Sequence, residues 1–146
     1  MEIRIALSLP RDEVSVPLVR RITSNSMRLL GIDGDCLEEL QVALSEACAN
    51  VLRHAQADDD YEVRVQVDGQ AVVVEVVDRG SGFDAARHGT SDAPSEAEQG
   101  RGIQLMRALV DEVHFAAAEP QGTVVSLRKR IRVPADTPLA RLVASQ

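Results

Sequence analysis

At 146 residues the chain has the length of one domain, which buries about 70% of its unfolded-chain surface and folds without a disulfide or structural metal. Hydrophobic residues make up 45% and charged residues 27%, an ordinary globular balance. The formal net charge of −7 and the scarcity of aromatics (Tyr61, Phe83 and Phe115 alone) argue against a basic nucleic-acid or membrane surface and against base-stacking platforms.

Residues 2–9 alternate, with Ile3, Ile5, Leu7 and Leu9 on one face, and predict a half-buried strand ended by Pro10. Residues 12–30 carry apolar positions at helical spacing, with Pro17 in the first turn and Gly31 and Gly34 at the end. Residues 36–55 are the clearest helix, through Leu37, Leu40, Leu44, Ala47, Cys48 and Val51. The acidic run at 57–60 reads as a turn. Residues 61–67 and 71–77 are strands joined at Asp68-Gly69, a hairpin signal, and the second is apolar enough to lie centrally in a sheet. Residues 78–100 follow no period and read as a long functional loop. A helix over 101–113 follows, then strands at 114–118 and 123–131 around a turn at 119–122. The tail from Pro134 is expected to fray or form one helical turn.

This order, with hairpins rather than alternating βαβ units, predicts an α/β (α+β) two-layer sandwich: a mixed, mainly antiparallel sheet with three helices on one face. Cys36 and Cys48 lack C-x-x-C spacing, and His54, His88 and His114 lack metal-pair spacing, so the thiols read as idle and zinc is not expected. The N-terminus has no signal-peptide design, and no apolar run nears the roughly 20 residues of a membrane span, so the expected location is cytoplasmic.

Four constellations could carry chemistry. Glu46, Asn50 and His54 form one stripe at the edge of the helix's apolar face; Glu could act as general base and Asn could offer an oxygen to Mg²⁺, or the stripe is a solvated flank. Asp78, Gly80 and Gly82 close the apolar strand, where an acid can accept from an exocyclic amine and glycines allow close backbone approach; a plain glycine turn is the alternative. Gly100-Arg101-Gly102-Ile103 opens the next helix and could present N–H groups to an anion, or act as a hinge. Gly122-Thr123 enters the last strand. The P-loop, the protein-kinase set and the G-x-S-x-G elbow are absent.

At these residues the chain resembles the Bergerat ATP-binding domain shared by DNA gyrase B, Hsp90, histidine kinases and MutL. LSEACANVLRHA is similar to its N-box, VVDRGSGFD to its first glycine box and GRGIQLM to its second, with Gly122-Thr123 as the closing G-T. Within that superfamily it is most similar to the anti-sigma factor serine kinases of bacteria. The resemblance implies that Asp78 binds adenine N6 with Thr123 assisting through water, and that Gly80 and Gly82 carry the loop past the base. Gly100, Arg101, Gly102 and Ile103 would lie at the phosphates, Asn50 would hold Mg²⁺, and Glu46 would activate a partner's serine or threonine hydroxyl. It implies ATP and Mg²⁺ as cofactors, an RNA polymerase sigma factor and an anti-anti-sigma factor (a STAS-domain antagonist) as partners, and a homodimer through residues 2–30. Residues 1–133 would be the ATP-binding domain, with an ATP lid at 84–99, and 134–146 a tail. Arg11, Arg20 and Arg21 read as contacts to an acidic partner or as a solvated helix face. The family's His-Gly is His54-Ala55 here, and the acidic run replaces its aromatic-rich turn. An ATP-binding module that sequesters a partner without phosphoryl transfer is the alternative. A sensor histidine kinase is not expected, because the residues before the N-box helix contain no phospho-accepting His.

Overall fold

The computed structural model describes residues 1–53, 60–79, 93–118 and 122–145. In chain order the elements are β1 (Ile3–Leu9), α1 (Ser15–Leu30), α2 (Gly34–Arg53), β2 (Tyr61–Val67), β3 (Ala71–Asp78), α3 (Ala93–Leu109), β4 (Glu112–Ala117), β5 (Thr123–Arg130) and α4 (Pro138–Ala144). The sheet runs β1-β2-β3-β5-β4 with every neighbouring pair antiparallel, so the sandwich class holds and the apolar β3 is the central strand. Among the described residues, no helix is long and apolar enough to cross a membrane.

Period-two alternation divides the sheet faces. Val63, Val65 and Val67 of β2, Val72, Val74 and Val76 of β3, and Val125 and Leu127 of β5 form one core with Val19 and Met27 of α1, Leu40, Leu44, Ala47 and Cys48 of α2, and Met106 of α3. Each such side chain contributes about 1.5–3 kcal/mol by leaving water. The opposite face carries polar groups, among them Glu62, which is paired with Arg64 at 2.9 Å and Arg79 at 3.0 Å. Those arginines hold the Glu62 carboxyl below its ordinary range, Arg79 most strongly through its hydrogen bond.

Two boundaries depart from the periodicity. The third helix spans Ala93–Leu109 rather than 101–113, so Gly100 and Gly102 lie inside it. The good helix formers Glu96, Ala97, Glu98 and Gln99 extend the helix toward the N-terminus, and each internal glycine costs only about 1 kcal/mol relative to Ala. At the other end Asp111 turns the chain into the sheet: its N–H donates to the Arg128 carbonyl at 2.9 Å, and its Oδ2 accepts from the Arg130 N–H at 2.6 Å.

The tail forms more than a single turn. Thr137 caps α4 by accepting from the Ala140 N–H at 3.2 Å, Pro138 takes the first helical position, and Leu139 is buried in the core. Two glycines make room for it. A Cβ on Gly31 would lie 2.5 Å from Thr137 Cγ2, and one on Gly69 would lie 3.2 Å from Val143 Cγ1. Gly31 also ends α1 at φ 88°, its N–H donating to Arg28 O and that of Ile32 to Met27 O.

Gly31→Ala should therefore destabilise the protein by about 1–3 kcal/mol, combining the left-handed backbone with the clash at Thr137. Gly34→Ala, whose Cβ would meet nothing within 4 Å, should change stability by less than about 0.5 kcal/mol. Urea denaturation of both variants measures the difference.

Candidate functional site

The end of the central strand places a carboxylate inside the protein. Asp78 is the last residue of β3, flanked by Tyr61 of β2 and Thr123 of β5, and is 2% exposed. A buried charge of that kind requires a counter-charge. Arg11, from the connection between β1 and α1, supplies it: its Nη2 donates to Asp78 Oδ1, and its Nη1 donates to the Val51 carbonyl near the end of α2 at 3.1 Å. The two side chains are 5% and 3% exposed. Arg11 is thus neither the contact to an acidic partner nor the solvated helix-face residue that its sequence position suggests. Its connection is held by a tight turn, in which Pro10 O accepts from the Asp12 N–H and Asp12 Oδ1 from the Val14 N–H. Ser15, the first residue of α1, shares a buried hydroxyl–hydroxyl hydrogen bond with Tyr61.

Gly122 completes this corner. Its φ is 105°, and a Cβ there would lie 1.8 Å from the Asp78 carbonyl oxygen and 2.8 Å from Arg79 Cα. Only a residue without a side chain lets the entry to β5 pass this close to the end of β3. The sequence singles out Gly122, but its contact is between backbones and has no local pattern.

A second cluster forms where α2 faces α3. Glu46 and Asn50 share a face of α2, and a Cβ on Gly102 would lie 3.0 Å from Glu46 Oε2 and 3.9 Å from Asn50 Oδ1. The segment at Gly102 and the Glu46–Asn50 stripe are therefore in contact, with Gly102 allowing the approach. Asn50 Oδ1 is buried and, among the described residues, accepts no hydrogen bond. An oxygen left in that condition costs about 1–3 kcal/mol, and an incoming cation or donor would satisfy it. Glu46, Arg53, Arg101, Gly102 and Leu105 line a cleft of about 260 Å³, and Arg53 approaches Glu46 at 3.8 Å. This donor set suits Mg²⁺, which prefers oxygen ligands and keeps several waters.

Gly100, Arg101, Gly102 and Ile103 are internal to α3, so they are not the helix N-terminus that the sequence suggests. Gly80, Gly82, His54 and residues 84–92 of the expected lid lie outside the described residues. Cys36 and Cys48 are free, and desolvation pushes the Cys48 thiol up to about 12, leaving it protonated and unreactive. Arg20 and Arg21 do behave as surface residues: with Arg28, Asn25 and Gln41 they line a groove of about 650 Å³ between α1 and α2.

Comparison with known proteins identifies the family and the fold. The histidine kinase-like ATPase domain matches residues 9–129. The chain is similar to the serine-protein kinase RsbW of Bacillus velezensis, at 32% identity over 86% of this chain and 84% of the relative. It is also similar to RsbW of Bacillus subtilis, at 29% identity over 91% of each. Its fold matches that of the RsbU and RsbW domains of a Mycobacterium tuberculosis protein, with TM-score 0.67 and 21% identity, covering 88% of this chain and 32% of that one. It matches likewise the SiaB–SiaC complex of Pseudomonas aeruginosa, with TM-score 0.60 and 14% identity, over 87% of this chain and 88% of that one.

The buried pair sets a stability test. Arg11→Met or Asp78→Asn alone leaves one charge without its partner and should cost about 3–5 kcal/mol. The double variant should cost at least about 2 kcal/mol less than the sum of the singles. Thermal and urea denaturation of the four proteins gives the coupling directly.

Proposed function

Because the chain belongs to the histidine kinase-like ATPase domain family, we propose that it is an anti-sigma factor with serine/threonine protein kinase activity. It binds ATP with Mg²⁺, holds an RNA polymerase sigma factor, and phosphorylates an anti-anti-sigma antagonist of the STAS-domain class. Similarity to the RsbW serine-protein kinases over most of both chains supports this reading. The observation that carries it is the meeting of Glu46, Asn50 and Gly102, with the unsatisfied Asn50 Oδ1 buried beside a carboxylate and an arginine-lined cleft.

Each residue then has one task. The Asp78 carboxylate accepts from the exocyclic amine of adenine, with the Thr123 hydroxyl beside it, and Gly80 and Gly82 carry the loop past the base. Arg101 donates to phosphate oxygens, while Gly100, Gly102 and Ile103 bring the α3 backbone against them. Residues 84–99 act as the ATP lid. Asn50 Oδ1 would hold Mg²⁺, which when bound neutralises phosphate charge. Glu46 takes the proton from the attacking serine or threonine hydroxyl; the new P–O bond forms to that oxygen as the bond to the ADP leaving group breaks. Most of the acceleration comes from positioning and charge neutralisation.

Partner contacts fit the remaining surface. The arginine-lined groove between α1 and α2 offers an acidic segment three cations on a chain of net charge −7. The edge strand β1 with α1 is the homodimer contact, and the protein works in the cytoplasm. Residues 1–133 carry the nucleotide function; 134–146 form a supporting tail.

Transfer of phosphate from labelled ATP to a candidate antagonist tests this. Glu46→Gln should lower the transfer rate at least about 100-fold with ATP affinity changed less than about threefold. Equal rates for the variant and wild type refute Glu46 as base. ATP binding without transfer by wild type would instead identify a sequestering module.

A further inference from the structure

We infer that Lys129 is a positioning residue for the phosphate end of the nucleotide site: it pins α3 to α2 in the register that brings Gly102 against Glu46 and Asn50. This rests on the reading that those residues meet the phosphates. Lys129 is the chain's only lysine and stands on β5, opposite Val72 of β3. Its ammonium donates to Glu39 Oε2 of α2 at 2.7 Å and to the carbonyl of Leu109, the last residue of α3, at 2.6 Å. The lysine side chain is 16% exposed. A cation at this end of α3 meets the negative pole of the helix and a carbonyl that has no partner within it.

The two anchors stand in a fixed relation to the site. Glu39 precedes Glu46 by seven residues on α2, and Leu109 follows Gly102 by seven on α3. Seven residues make about two turns, so each pair lies on one helix face, about 10 Å apart. The helices therefore run antiparallel and meet at two levels, at Lys129 and at Gly102. The two meetings differ in kind. At Lys129, short charge-assisted hydrogen bonds fix direction and distance. At Gly102 there is no side chain to hold the approach, and a Cβ there would lie 3.0 Å from Glu46 Oε2. Leu44 and Ala47 of α2 and Met106 of α3 belong to the apolar core, but apolar burial is non-directional and does not by itself set a register. Lys129 supplies the directional hold. Thr123, beside Asp78, is six residues away on β5, about 20 Å along the strand, so the base end does not depend on the pin.

The test compares equilibrium binding of two ligands to the full chain, below each variant's melting temperature: ATP with Mg²⁺, by titration calorimetry, and adenosine, by ligand-observed NMR titration. Adenosine has the base without the phosphates, so it reads the end of the site that the pin does not set. Lys129→Met should weaken ATP at least about tenfold and adenosine less than about threefold. A smaller loss for ATP, or an equal loss for both ligands, overturns the positioning role, because general loosening of the fold would not separate them. Glu39→Gln removes the charge of one anchor at a half-exposed position. It should weaken ATP at least about threefold with adenosine unchanged, and it decides the matter if the Met variant does not fold. If Asn50→Ala leaves ATP affinity at the wild-type value, the reading of Glu46, Asn50 and Gly102 as the phosphate end fails instead, which distinguishes the two.

Discussion

One charge compensation organises this protein: a carboxylate at the end of the central strand, screened from water, is neutralised by a guanidinium from the other end of the sequence's first half. Asp78 and Arg11 are 67 residues apart. Their pairing fixes the β1–α1 connection, the end of β3 and the last turn of α2 in one place. A water-filled corner would leave each of those loosely related. The low local dielectric makes the pair costly to break and gives its geometry a definite form. Tyr61 and Ser15 repeat the connection with a neutral hydrogen bond immediately alongside. The start of α1 is therefore held by two polar contacts at the same corner as Asp78.

Packing at the site depends on what glycine leaves out. Gly122 passes the Asp78 carbonyl at a distance no Cβ permits, and Gly102 lets α3 approach the carboxylate and amide of α2. Gly31 and Gly69 do the same structural work at the opposite end, where they admit α4. The two ends differ in what they enclose. Around Gly31 and Gly69 the neighbours are methyl groups of Thr137 and Val143, and the result is a closed apolar contact. Around Gly102 the neighbours are oxygens, one of them without a hydrogen-bond partner among the described residues. Close approach to apolar groups builds a core, while close approach to unsatisfied oxygens leaves a position for a ligand.

Much of this was legible in the residues, and the exceptions have physical causes. Strand alternation in Tyr61–Val67 and the apolar run Ala71–Asp78 gave the sheet and its central strand, because burial on one or both faces imposes those patterns directly. The Glu46–Asn50 spacing gave one stripe of α2, and the fold brings Gly102 to it. The start of α3 departs from the pattern because Gly100 and Gly102 look like a helix opening, whereas the helix formers before them carry the helix back to Ala93. The tail helix had a readable signal in Thr137-Pro138, a cap followed by the residue best suited to the first helical position. Arg11 had none: an arginine after a strand is usually solvated, and only the long-range pairing with Asp78 makes it internal.

The net charge of −7 takes on a different meaning once the cations are placed. An acidic chain that handles a polyanionic nucleotide cannot rely on a general positive field, so its few cations must act at short range, where screening is weakest. Arg101 and Arg53 line the small cleft, and Arg20, Arg21 and Arg28 line the groove on the far side of α2. Arg11 is withdrawn from both, spent inside on Asp78. The cleft and the groove flank the same helix, so α2 carries Glu46 into one and Gln41 and Val42 into the other. The helix α2 thus joins the cleft to the groove, and Arg11 through Val51 is where the end of β3 is tied to it.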